Sequence, residues 1–181
     1  PADAAELAII GDAVLRADYL DGSYQIPVSD GSGKDRKMLR KVVGLLGEAG
    51  WTIKDGKLVD KDGKQFSFTI TLGNSDQQPM ALHLQRTLQL IGIDVQLKVA
   101  DSAQFTALLK IYDYDMVPVT WFNSMSPGNE QKLYFGSDGK TKEGTRNYPG
   151  IADPKIDAAI EAMLKAPDRA AFEAAVRAED R

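Results

Sequence analysis

The chain has 181 residues, 43% of them hydrophobic and 27% charged, with a formal net charge of −4 and no cysteine. That length suits one ordinary domain with a core of its own, and the near-average composition excludes a fibrous, low-complexity or wholly disordered chain. The acidic balance and the lack of a basic stripe speak against nucleic-acid binding and adsorption to anionic membranes. The absence of cysteine excludes a disulfide framework, a thiolate metal site and a cysteine nucleophile.

No apolar run approaches the roughly 20 residues that span a bilayer. Pro1 opens directly into a polar, helix-like segment, so no signal peptide is expected within these residues. Residues 3–20 are predicted as one helix: Asp3 and Glu6 have capping-box spacing, and Leu7, Ile10 and Val14 share a face. Asp21-Gly22, Pro27 and the run 29–33 make residues 21–34 a loop. Asp35 caps a helix over 36–49 whose stripe is Met38, Leu39, Val42, Leu45 and Leu46, and Gly50 sits at its left-handed C-terminal cap. Gly44 and Gly47 inside that helix suggest close packing by a neighbour.

Residues 51–72 read as a small antiparallel unit with tight turns at Asp55-Gly56 and Asp62-Gly63. Its last run, Phe66 to Leu72, alternates with period two as a strand. A helix over about 77–91 follows, capped near Asn74 and stopped by Gly92. Ile93, Val95, Leu97 and Val99 form the next strand, Ser102 caps a short helix, and a third strand is expected over about 114–121. Strand, helix, strand, helix, strand in this rhythm predicts an α/β fold with a largely parallel sheet and crossover helices. Residues 122–152, with five glycines, read as a long irregular stretch. Asp153-Pro154 and Asp168 start the last two helices.

Several motifs tempt and fail. A phosphate-binding loop needs a leading glycine and a closing Gly-Lys-Ser/Thr. Gly33-Lys34 is followed by Asp35, and Gly139-Lys140-Thr141 has Tyr134 in the leading position. Asp113 and Asp115 flank Tyr114 and give the alternative of a small hydrolase, with no nucleophile–base pair beside them. His83 has no second ligand at i+4, so no metal site and no cofactor is expected. There is no Gly-x-Ser-x-Gly elbow. Trp121-Phe122, at the end of the expected third strand, remains: ligands of open parallel sheets bind beyond the strands' carboxyl ends. Trp121 either covers a ligand there or plugs the core, and spacing alone leaves both open.

Leu45-Leu46-Gly47-Glu48-Ala49-Gly50-Trp51, then Lys54-Asp55-Gly56-Lys57-Leu58-Val59-Asp60 and Asp62-Gly63-Lys64, resembles a signature of the family 5 extracellular solute-binding proteins. Leu88-Gln89-Leu90-Ile91-Gly92-Ile93-Asp94-Val95 is similar to that family's helix-to-strand junction. Tyr112-Asp113-Tyr114-Asp115-Met116 with Trp121, and Asn147-Tyr148-Pro149-Gly150 with Asp153-Pro154-Lys155-Ile156-Asp157, continue the likeness in order over about residues 24–165. The lead-in from Pro27 to Gly33 resembles the branch linked to microcin C, murein-peptide and oligopeptide uptake.

The resemblance implies a periplasmic-binding-protein-like lobe of the dipeptide-binding domain III type, a mixed sheet with crossover helices and a small antiparallel hairpin. It implies part of a longer two-lobed receptor: lead-in helix and loop over 1–34, lobe core over 35–165, and a terminal helix over 166–181 that ends short. The implied function is non-catalytic: capture of peptides or related solutes in the periplasm for an ABC permease, without membrane insertion. A protein-interaction module is a further alternative. In the family's peptide binders a Trp on the strand matching 114–121 faces the ligand, and an Asp three residues later pairs with the peptide's amino terminus. Trp121 matches, but the Asp position holds Ser124, which puts that recognition in doubt. The resemblance thus implies a ligand surface of Trp121, Phe122, Asn123, Ser124 and Asn147.

Overall fold

The computed structural model describes residues 1–12, 15–122 and 126–181. It is a mixed α/β structure with two small sheets, and it divides into two compact units.

The first unit comprises residues 27–109 and 113–120. Helix α3 (Arg36–Glu48) starts where the Asp35 carboxylate accepts from the amides of Lys37 and Met38, and Gly50 ends it at φ +91°. A Cβ at Gly44 or Gly47 would meet nothing within 4 Å, so the expected close neighbour is not there. Strands β1 (Thr52–Lys54) and β2 (Lys57–Val59) form an antiparallel hairpin. Asp55 and Gly56 both take positive φ, the twist a two-residue hairpin turn needs.

Strand β3 (Ser67–Leu72) pairs in parallel with β4 (Asp94–Val99), from Ser67 opposite Asp94 to Leu72 opposite Val99. The crossover between them is α4 (Gln78–Gln89), entered through a 3₁₀ turn, Ser75–Gln77, capped by Asn74. Helix α5 (Ser102–Ile111) follows, and Asp101, the residue before the expected cap, accepts from the Gln104 amide. Leu58, Ile70, Leu72, Ala81, Ile91, Ile93 and Val95 form the buried core, flanked by Leu39, Val42, Val43 and Leu46 of α3, while Leu45 of the expected stripe is exposed.

The expected third strand shrinks to a single parallel bridge between Ile70 and Met116. Two residues explain it. The Asp115 carboxylate accepts from the Thr69 amide, 2.9 Å, and occupies a donor of the β3 edge. Past Met116, Pro118 has no N–H to extend the ladder.

The second unit comprises residues 1–26, 110–112 and 121–181 and is mostly helical. The expected long first helix is two short ones, α1 (Ala4–Ile10) and α2 (Ala17–Leu20), because Gly11 turns to φ +60° and closes α1. Val14 of the expected stripe lies outside the described residues, and Leu7 is exposed while Glu6 is buried. The stretch read as irregular contains α6 (Glu130–Phe135) and a 3₁₀ turn, Ser137–Lys140. Asp153 and Asp168 cap α7 (Pro154–Leu164) and α8 (Arg169–Asp180) as expected. Ile160, Met163 and Ala175 form the core, with Ile9, Phe135, Ile156 and Phe172 packed on it.

Candidate functional site

The loop after α6 has few regular elements, so its backbone polar groups must find side-chain partners. Asn147 supplies three. Fully buried, at 0% exposure, it donates from Nδ2 to the carbonyls of Gly136 (2.9 Å) and Ile151 (2.8 Å). Its Oδ1 accepts from the Ile151 amide at 2.9 Å. A Cβ at Gly139 would come within 2.7 Å of the Asn147 Cβ, so only glycine lets the loop close over this side chain. Tyr112 pins the same loop: its hydroxyl donates to the Gly139 carbonyl at 3.0 Å and meets the Thr145 hydroxyl, which itself donates to that carbonyl at 2.9 Å. Tyr112 holds φ +58°, unusual for a bulky residue, and its anchored hydroxyl accounts for the geometry.

Trp121 is fixed against this framework. Its Nε1 donates to the Arg146 carbonyl at 3.2 Å. Its ring stacks on Tyr148 at 6.1 Å and 28°, and tilts against Phe135 at 5.7 Å and Tyr134 at 6.1 Å. The side chain is half-buried, a braced ring with one part left in solvent. Its neighbour Phe122 is 87% exposed. An apolar ring that open costs hydration free energy unless something covers it, so Trp121-Phe122 presents a rigid aromatic next to an uncovered one.

Of the expected site residues, Trp121 and Phe122 are adjacent on the surface. Asn147 lies beneath the loop that carries Arg146 and Tyr148, with both amide hydrogens committed to backbone. Asn123 and Ser124 lie outside the described residues. Tyr148, Phe135, Tyr134 and Tyr112 were not among the site residues expected from the sequence. Leu133-Tyr134-Phe135 carries an apolar signal, too short to separate a one-turn helix from an irregular run.

Asp113 and Asp115 are both exposed, and Asp115 is taken up by the Thr69 amide. His83 is exposed on α4, with the Gly33 segment resting against it. Among the described residues no three His, Asp or Glu side chains converge as a metal site would need, and no helix is long and apolar enough to cross a membrane.

The model of the family described as bacterial extracellular solute-binding proteins, family 5 Middle, matches residues 8–143. A putative binding protein of Brucella melitensis is 43% identical over 100% of this chain and 30% of its own length. The peptidoglycan-binding protein YepA of Agrobacterium fabrum is 43% identical over 99% of this chain and 30% of its own. Among solved structures, the oligopeptide-binding protein AppA of Bacillus subtilis, in complex with a nonapeptide, superposes with a TM-score of 0.66 at 25% identity, covering 97% of this chain and 36% of that one. The chain thus spans about 30% of the length of these curated relatives. The match over three quarters of its residues and the shared fold agree with the motifs: the chain belongs to the family 5 bacterial extracellular solute-binding proteins.

Proposed function

We propose that this chain is part of a receptor that captures peptides, or peptide-like solutes such as murein fragments, in the periplasm and delivers them to an ABC permease. The observation that carries the reading is the pairing of a braced Trp121 with a wide-open Phe122. Two rings of that kind cover a peptide's apolar side chains at low entropic cost, because the first is already immobilised. Asn123 and Ser124, the next two residues in sequence, belong to the same proposed ligand-binding segment. Asn147 acts through the loop it ties down, since its amide has no hydrogen left to offer a ligand.

Support also comes from the relatives' names. YepA is named for peptidoglycan binding, a second Agrobacterium fabrum relative, 32% identical, is a probable peptide-binding protein, and AppA was solved with a nonapeptide. In the proposed mechanism a ligand touched by two lobes favours the closed arrangement, which the permease then recognises. Chemistry on the ligand forms no part of it.

Calorimetric titration tests the reading, with this chain and a longer protein containing it each challenged by a murein tripeptide, an oligopeptide mixture and a neutral oligosaccharide. Saturable heat with either peptide class, weaker for the chain alone, is expected. Heat from the oligosaccharide only, or from no probe, contradicts the peptide reading.

A further inference from the structure

The helical unit distributes its charges unevenly. Seven of its lysines and arginines are held in ion pairs with carboxylates. Lys110, Lys140, Lys142 and Arg146 are exposed, and among the described residues none of them has an ion-pair partner. These four belong to one piece of backbone framework. The Gly144 amide donates to the Lys110 carbonyl at 3.2 Å, and the Tyr112 hydroxyl reaches the Lys142 carbonyl at 3.4 Å. Residues 110–112 and 136–146 hold only two carboxylates, Asp138 and Glu143, against these four cations, in a chain whose net charge is −4.

Arg146 differs from the three lysines in how it is held. Its amide donates to the Leu133 carbonyl at 3.1 Å, and its carbonyl accepts from Trp121 Nε1 at 3.2 Å. The next residue is the fully buried Asn147. The backbone beneath the guanidinium is therefore fixed, and one of its anchors is Trp121 itself. Arginine's planar fork meets a carboxylate with two parallel hydrogen bonds, a fit that a lysine ammonium does not offer.

We propose that Arg146 pairs with a carboxylate of the ligand, so that the Trp121 surface selects carboxylate-bearing peptides. The inference rests on the peptide reading and adds a charge class to it. Aromatic rings cover the ligand's apolar part and leave its charge unread, and Arg146 reads it beside them. The three lysines raise the local potential, which speeds encounter with an anion but fixes no geometry. A peptide without a carboxylate gains nothing from either.

The carboxylate has two sources, a peptide's C-terminus or an acidic side chain. The test uses the whole 181-residue chain carrying Trp51→Phe, in which the Trp121 indole N–H, bonded to the Arg146 carbonyl, gives the one indole resonance. The probes are Ala-Leu-Phe against its C-terminal amide, and Ala-Glu-Phe amide against Ala-Gln-Phe amide. At least one carboxylate peptide is expected to bind about fivefold or more tightly than its match, and the pair that shows it names the source. Arg146→Gln is expected to erase that preference with the melting temperature unchanged, because its exposed side chain leaves both backbone hydrogen bonds in place. Lys142→Gln removes a charge but no fork and is expected to keep most of the preference. Equal binding of all four peptides, a preference that survives Arg146→Gln, or equal losses in the two variants each overturns the role of Arg146 and leaves the peptide reading standing. No shift with any of the four peptides overturns both.

Discussion

Glu6 and Arg181 stand 175 residues apart in sequence, and their side chains meet: Arg181 Nε donates to Glu6 Oε2 at 2.7 Å. Arg177 Nε donates to the other oxygen at 2.5 Å and reaches Asp3 at 3.0 Å. Glu6 is only 2% exposed, so both of its oxygens are satisfied within the helical unit by two guanidinium groups. Asp3 keeps its half of the expected capping box, but Glu6 turns inward to α8 instead of back to the cap.

This clasp predicts a pH dependence. Burial raises the Glu6 carboxyl, and the hydrogen bonds from Arg177 and Arg181 outweigh it, so the net direction is down. A depressed folded-state value contributes stability that is complete above the unfolded carboxylate range and lost as pH falls through the folded value. Urea midpoints are therefore expected to drop between about pH 6 and about pH 3, and to drop less in Glu6→Gln. Glu6→Ala is expected to cost about 2–3 kcal/mol at neutral pH, because it strands Arg181, only 18% exposed at its side chain, without a carboxylate.

Gly92 allows no side chain. Its φ is +83°, and an added Cβ would lie 2.5 Å from the Leu58 amide nitrogen, which itself donates to the Gly92 carbonyl at 2.9 Å. Gly92→Ala is expected to lose about 2 kcal/mol or more, whereas Gly44→Ala, inside a helix where a Cβ meets open space, is expected to gain about 0.5–1 kcal/mol. Paired urea melts of the two variants check this; losses in both contradict it.

Asn147 is expected to be the most sensitive polar position in the loop that braces Trp121. Asn147→Asp keeps the size but removes both donors to the Gly136 and Ile151 carbonyls, at a cost of about 2–4 kcal/mol. Hydrogen exchange at Ile151, whose amide donates to Asn147, is expected to rise in that variant before the rest of the helical unit loosens.

Glu161 sits between Lys132 and Lys165, bonded to both. The hydrogen bond from Lys132, then that from Lys165, pulls its carboxyl down to about 2. Carboxyl-carbon NMR is expected to find it ionised where ordinary glutamates are half-protonated, and Lys132→Ala to shift its titration upward. An ordinary glutamate titration in the parent chain contradicts this.

The chemistry of caps and turns carried much of the fold. Asp35, Asp153 and Asp168 cap where their spacing says, and Asp55-Gly56 makes the hairpin. The parallel pairing of β3 with β4 followed from alternating apolar positions around a helix. The third strand failed because period-two patterning is blind to Asp115 capturing an edge amide and to Pro118 breaking a ladder. The split of the first helix turned on Gly11, and the inward Glu6 on partners at the far end of the chain, which no local pattern contains. At the candidate site Trp121 and Phe122 were legible as aromatics after a strand-like run. The bracing by Tyr148, Tyr134 and Phe135 and the anchoring by Tyr112 were not, because they are contacts between residues far apart in sequence.

The central claim, that Trp121 and Phe122 form a peptide-contacting surface, is open to direct observation because the chain has only two tryptophans. In a Trp51→Phe background the fluorescence reports Trp121 alone. Titration with murein tripeptide or oligopeptide is predicted to give a saturable shift of that emission, weakened about tenfold by Phe122→Ala. Emission that stays unchanged at ligand concentrations where calorimetry shows binding would place the ligand elsewhere and contradict the account.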